Sequence, residues 1–80
     1  MNIKLFGTED CHKTQYYKTW LETRNLDYVF LDVKHIKEAA EELRSLYETG
    51  KLNFPTILVN EKKLRNPTEE ELIKWTEKLK

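Results

Sequence analysis

The sequence is short of most things that usually announce a function. Its 80 residues include one cysteine, Cys11, two glycines and two prolines. A single cysteine excludes an internal disulfide framework and any all-cysteine metal site within one chain. So little glycine and proline leaves nothing for a flexible linker or a low-complexity tail. The chain therefore reads as one small domain, residues 1–80, near the lower end of independent folding. Neither sign of charge dominates: 14 basic and 14 acidic residues give a formal net charge of zero. That removes any electrostatic case for nucleic acid or an anionic membrane as partner. No apolar run is long enough to span a bilayer, and the N-terminal residues show no signal-peptide pattern. A reducing cytoplasm is the expected compartment for a chain with one thiol, and a monomer the expected state.

What is present is periodic. Charged residues make up 35% of the chain and hydrophobic ones 39%, enough for a packed core under a solvated surface. Asn2 to Gly7 reads as a strand with Ile3 and Leu5 on one face, and Gly7 is expected to allow the turn off its end. Thr8-Glu9-Asp10 reads as a loop. From Cys11 to Arg24 the pattern is helical, with Tyr17, Trp20 and Leu21 on one stripe and Asn25 as a C-cap. Core packing is the favoured role for those aromatics.

Leu26 to Val33 reads as a second strand, apolar on both faces and so expected to be interior or well covered. The helix between the two strands predicts a parallel pair with a right-handed crossover. A second helix is predicted over His35 to Thr49, from Ile36, Ala39, Ala40, Leu43, Leu46 and Tyr47, with Gly50 as its C-cap. His35 has no histidine or cysteine at metal spacing, so it is read as a solvated first-turn residue and no metal site is predicted.

Phe54 to Val59 opens a third strand, Asn60 to Lys63 makes a turn, and Leu64 heads a short fourth strand in a hairpin. Pro55 is tolerated at the strand's entrance because that residue need not donate to the ladder. Asn66-Pro67-Thr68 breaks the chain. Thr68 with Glu71 then forms a capping box for a last helix carrying Leu72, Ile73, Trp75, Thr76 and Leu79. Glu69, Glu70 and Glu71 at its start and Lys74, Lys78 and Lys80 near its end suit the helix dipole. The order β-α-β-α-β-β-α predicts an α/β domain: a mixed four-stranded sheet sandwiched by three helices.

The chemistry converges on Cys11-His12-Lys13-Thr14. The cysteine falls where a strand hands over to a helix, in what reads as the first helical turn. Unpaired backbone N–H groups and the helix dipole favour negative charge there, and the thiolate is the nucleophilic form. Thr14, one turn on, can donate a hydrogen bond to that thiolate. Glu9 and Asp10 pull the thiol's pKa up, whereas His12 and Lys13 pull it down. A pKa below the free value is expected.

With a cysteine at the first helix and Phe54-Pro55-Thr56 opening the third strand, this order resembles the thioredoxin superfamily, and most closely the glutaredoxins. The likeness runs over essentially the whole chain. It implies the thioredoxin fold, with Cys11 attacking a disulfide, commonly a glutathione mixed disulfide. It implies a cis Pro55 facing Cys11, and Phe54 offering its backbone to substrate. Thr14 stands in place of a second cysteine. His12, Lys13 and Thr8 replace residues many glutaredoxins carry. Arg65-Asn66 replaces a glycine pair, and the acidic pair that grips glutathione falls near Thr68-Glu69. Lys13, Arg65 and the N–H groups near Thr68 remain able to bind a carboxylate.

The resemblance implies a single-cysteine thiol–disulfide oxidoreductase acting on glutathione or protein disulfides. Cys11 and Thr14 would be catalytic, with His12, Lys13, Phe54, Pro55, Arg65 and Thr68 binding substrate. No resident cofactor is expected, glutathione being a co-substrate. Two alternatives stand beside it: a redox-inert thioredoxin-fold binding module, and a carrier of a glutathione-ligated iron–sulfur cluster. The C-G-F-S motif of such carriers is absent here.

Overall fold

The computed structural model describes residues 3–50 and 54–77. Four strands, β1 (Ile3–Gly7), β2 (Val29–Asp32), β3 (Thr56–Val59) and β4 (Lys62–Arg65), form one sheet in the order β2-β1-β3-β4. Three helices, α1 (His12–Thr23), α2 (Lys37–Ser45) and α3 (Glu69–Glu77), complete the predicted order. β1 pairs parallel with β2, with Leu5 opposite Phe30. It pairs antiparallel with β3, with Leu5 opposite Ile57. β3 and β4 form the predicted hairpin.

The sheet buries both faces. On one side Ile3, Leu5, Ile57, Val59 and Leu64 pack with Tyr17, Trp20 and Leu21 of α1 and Leu72 of α3. On the other, Phe6 and Val33 pack with Ala39, Ala40 and Leu43 of α2. The strand alternation thus sends successive β1 side chains to different cores, and the stripe of aromatics on α1 is core as expected. Lys4, which shares the α2 side, reaches out to Glu42 at 2.7 Å.

Several boundaries differ from the sequence reading, each for a local reason. The second strand does not begin at Leu26. Asn25 takes a left-handed φ of 56°, its N–H bonds Glu22 O at 3.1 Å, and Leu26 N–H bonds Leu21 O at 3.0 Å. This is a Schellman closure of α1, with Arg24 as the C-cap and Asn25 just beyond it. Leu26 is consumed by the cap. Nor is β2 an interior strand. It lies at the sheet edge, and Val29 is 55% exposed.

The second helix begins at Lys37 rather than His35. Asp32 captures the chain first: its Oδ1 accepts from the backbone N–H of Lys34 at 2.9 Å and of His35 at 3.1 Å. His35 Nδ1 lies 2.7 Å from Asp32 Oδ2, so the ring is exposed but tethered. Such side-chain-to-backbone bonds compete with helical ones. The helix also stops early, at Ser45, whose hydroxyl bonds back to Glu42 O at 2.6 Å. Short-range turns at Leu46, Tyr47 and Gly50 follow, so Gly50 (φ 68°) ends this extension rather than the helix itself.

Phe54 and Pro55 precede β3 instead of belonging to it, and the hairpin turn is Asn60-Glu61 alone, with Asn60 at φ 56°. The capping box at α3 is present: Glu71 N–H donates to Thr68 Oγ1 at 3.2 Å, and Thr68 N–H to Glu71 Oε1 at 3.3 Å. The expected start at Asn2 and the expected contributions of Lys78, Leu79 and Lys80 lie outside the described residues.

Candidate active site

Cys11 occupies the N-cap of α1, one position before the first helical turn in which the sequence placed it. Its backbone is extended (φ −92°, ψ 120°), its N–H closes a turn onto Thr8 O at 3.2 Å, and its carbonyl accepts the first helical bond from Gln15 at 3.1 Å. An N-cap side chain is aimed at the unpaired N–H groups of the second and third helical residues. Here those residues are Lys13 and Thr14, though the Cys11 side chain forms no capping hydrogen bond with them.

The thiol's pKa is lowered from its ordinary value. The largest cause is the Thr14 hydroxyl; burial opposes it, the backbone N–H groups of Thr14 and Lys13 assist, and the Asp10 carboxylate opposes. The direction is as expected, but the agents differ. The side-chain charges of His12 and Lys13 play no part among these causes. Both side chains are exposed, where solvent screens them. The helix end and Thr14 do the lowering.

Thr14 is fully buried, and its Oγ1 forms no geometrically complete hydrogen bond among the described residues. That stands against its leading influence on the Cys11 thiol. Both hold: the hydroxyl has no hydrogen-bond partner among the described residues, and it is still the group that most favours the ionised thiol. A buried hydroxyl lacking a partner costs about 1–3 kcal/mol. Of the two charge states of Cys11, the thiolate is the one that a hydroxyl donor favours.

Cys11 is half-buried and opens onto a cleft of about 440 Å³ lined by Thr8, Asp10, Cys11, Val33, Lys34 and Phe54. The β1–α1 loop, the end of β2 and the segment before β3 converge there. The Phe54–Pro55 peptide is cis. Phe54 is 43% exposed and lines the cleft with Cys11; Pro55 is buried and is not among the residues lining the cleft. Sequence reasoning did not single out Val33 or Lys34 for this site, and weighed Asp10 only as an opposing charge. Lys34 Nζ holds Asp10 Oδ2 at 3.0 Å. This lowers the Asp10 pKa to about 2 and raises that of Lys34. No local sequence signal joins two residues 24 apart; only the β1–β2 pairing does.

The remaining candidates are not cleft-lining residues. His12 and Lys13 are exposed on α1. Arg65 is exposed on the edge strand β4, opposite Thr56. Thr68 is committed to capping α3. Glu69, in the acidic stretch next to it, accepts a 2.7 Å hydrogen bond from Tyr16. Tyr17 donates to Pro67 O at 2.6 Å, so α1 and the start of α3 are pinned together close to the thiol.

The glutaredoxin family model matches residues 3–64, which span β1 to β4 and include both Cys11 and Pro55. The chain belongs to the glutaredoxin family. Solved structures agree on the fold. The thioredoxin-like protein BC3987 superposes with a TM-score of 0.78 at 25% identity, over 91% of this chain and 97% of that one. A point mutant of it gives 0.79 at 24% identity, over 92% and 97%. The glutaredoxin of Archaeoglobus fulgidus gives 0.78 at 16% identity, over 92% and 84%. No curated protein sequence matches the chain. This glutaredoxin-like domain has no described helix long and apolar enough to cross a membrane.

Proposed function

We propose that this glutaredoxin-family protein is a single-cysteine thiol–disulfide oxidoreductase linked to glutathione. The observation that carries the reading is Cys11 at the α1 N-cap: half-buried, open to a cleft shared with Phe54, with its pKa lowered by Thr14 and helix-end N–H groups. A lone cysteine on an inert scaffold needs none of these features.

The reaction balances without a second protein thiol. The Cys11 thiolate attacks the glutathione sulfur of a mixed disulfide, forming a Cys11–glutathione disulfide and releasing the other partner as a thiolate. A second glutathione thiolate attacks the glutathione sulfur of that intermediate, giving oxidised glutathione and regenerating Cys11. The backbone of Phe54 is suited to hold an extended substrate by main-chain bonds. Lys34, raised in pKa and present in the cleft, is a better placed cation for a substrate carboxylate than Lys13 or Arg65. A reducing cytoplasm suits such a protein.

Intact mass after incubation with oxidised glutathione tests the first step, and turnover of a small glutathionylated disulfide tests the cycle. The expected result is one glutathione adduct, lost in Cys11→Ser, and turnover that depends on reduced glutathione. An unmodified Cys11 and no turnover would leave the fold serving as a binding module.

A further inference from the structure

Gly7 ends β1, four positions before Cys11, and its backbone gives no reason for being glycine. Among the described residues the glycine with a left-handed φ is Gly50, not Gly7. Gly7 continues the strand, pairing with Asp32, and its carbonyl accepts from Val33 N–H at 3.0 Å. Any residue can adopt such a conformation. The expectation that Gly7 serves a turn is therefore replaced by a different one.

The reason lies in what faces it. A Cβ built on Gly7 would overlap the Thr14 side chain, striking Oγ1 first, then Cγ2 at 2.8 Å and Cβ at 3.1 Å. Those contacts are with a short branched side chain that is fully buried, with little room to swing away. The space that a methyl group on β1 would fill is thus the space in which the Thr14 hydroxyl sits.

We propose that Gly7 is a positioning residue for the thiol: by carrying no side chain, it lets the Thr14 hydroxyl occupy the junction between β1 and α1, within reach of Cys11. The influence of Thr14 on the Cys11 thiol depends on this placement. Gly7 touches neither substrate nor sulfur in this role; it acts through Thr14. The inference rests on Cys11 being used as a thiolate, as the proposed function requires.

The test uses the full chain, iodoacetamide as the probe, and the pH dependence of the alkylation rate as the readout. Neither glutathione nor a disulfide is needed, so a failed turnover assay and a failed Gly7 prediction are separate events. Gly7→Ala is expected to move the alkylation midpoint upward, in the same direction as Thr14→Ala. In a Thr14→Ala background, where the obstructing atoms beyond Cβ are gone, Gly7→Ala is expected to add no further shift. An unchanged midpoint in a folded Gly7→Ala would overturn the proposal. So would an equal shift in both backgrounds, since Gly7 would then act without Thr14. If Gly7→Ala alone fails to fold, Gly7→Ala/Thr14→Ala is expected to recover the fold and show the Thr14→Ala midpoint. A double variant that remains unfolded would mean that removing Oγ1 and Cγ2 of Thr14 does not relieve the crowding at Gly7, and would equally overturn it.

Discussion

Lys34 Nζ lies 3.0 Å from Asp10 Oδ2, and both residues line the cleft onto which Cys11 opens. The pair bears directly on the thiol. Asp10 opposes ionisation of Cys11, and Lys34 offsets that carboxylate. The Lys34 pKa is raised, so the cation persists while the thiol titrates.

Lys34→Met is therefore expected to raise the Cys11 pKa and slow alkylation at neutral pH, with the fold unchanged. The difference from the parent should shrink with added salt, since the screening length falls to about 3 Å at 1 M. Alkylation rates against pH at two ionic strengths check this. A salt-independent effect would point to lost packing by the lysine stem instead.

Acid should release the same pair. The Asp10 pKa is about 2 in the fold against 3.8 for the free group. A depressed carboxylate contributes stability above its unfolded pKa and loses it as pH falls through the folded one. The Asp10 contribution is thus expected to be intact above pH 3.8 and to vanish toward pH 2. Both partners are exposed, so the effect on global unfolding is small. Backbone amide shifts at Asp10 and Lys34 through an acid titration are the appropriate measurement, with Lys34→Met moving the Asp10 midpoint upward.

Thr14→Val keeps the branched shape and removes the hydroxyl donor. Hydrogen bonding to the charged form lowers a pKa, so its loss raises one. A higher Cys11 pKa and slower mixed-disulfide formation at neutral pH are expected. Circular dichroism should be unchanged, because valine keeps the branched shape and the parent hydroxyl has no hydrogen-bond partner among the described residues. An unaltered pH–reactivity curve would assign the lowering to the helix-end N–H groups alone.

Thr14→Cys should restore two-cysteine geometry. Residues three apart at a helix start bring their Cα atoms within the roughly 7 Å that a disulfide needs. Mild oxidation is expected to remove two hydrogens by intact mass and to protect both thiols from alkylation. Two free thiols after oxidation would count against this geometry.

Tyr17→Phe tests the joint between α1 and α3. The tyrosine hydroxyl donates to the Pro67 carbonyl at 2.6 Å in a buried setting. Removing it leaves a buried acceptor unpaired, an expected loss of about 1–3 kcal/mol in unfolding free energy. Denaturant midpoints measure it. Tyr16→Phe, which removes an exposed bond to Glu69, is expected to cost less.

Local chemistry was legible residue by residue. Asn25 beyond the end of α1 and Thr68 with Glu71 at the start of α3 act through bonds spanning at most a few residues. Alternation and helical spacing therefore sufficed for the order β-α-β-α-β-β-α, and Cys11 at a helix start followed from the same rules. Misplaced boundaries arose where a side chain competed for the backbone, as Asp32 does before α2 and Ser45 at its end.

The sequence by itself determined the element order, the closing of α1 and the capping box of α3, and the single thiol at a helix start. Tertiary structure alone decided which strand lies at the edge, which residues share the cleft, and why Gly7 is glycine. β2 reads as doubly apolar, yet strand order leaves Val29 half-exposed, because burial depends on neighbours and not on the residue's own hydrophobicity. Lys34 reaches Asp10 because β1 and β2 pair in parallel and bring their ends to the same side. Gly7 meets Thr14 because α1 folds back over β1, and excluded volume between them is a property of packing that no pattern of residue types along the chain contains.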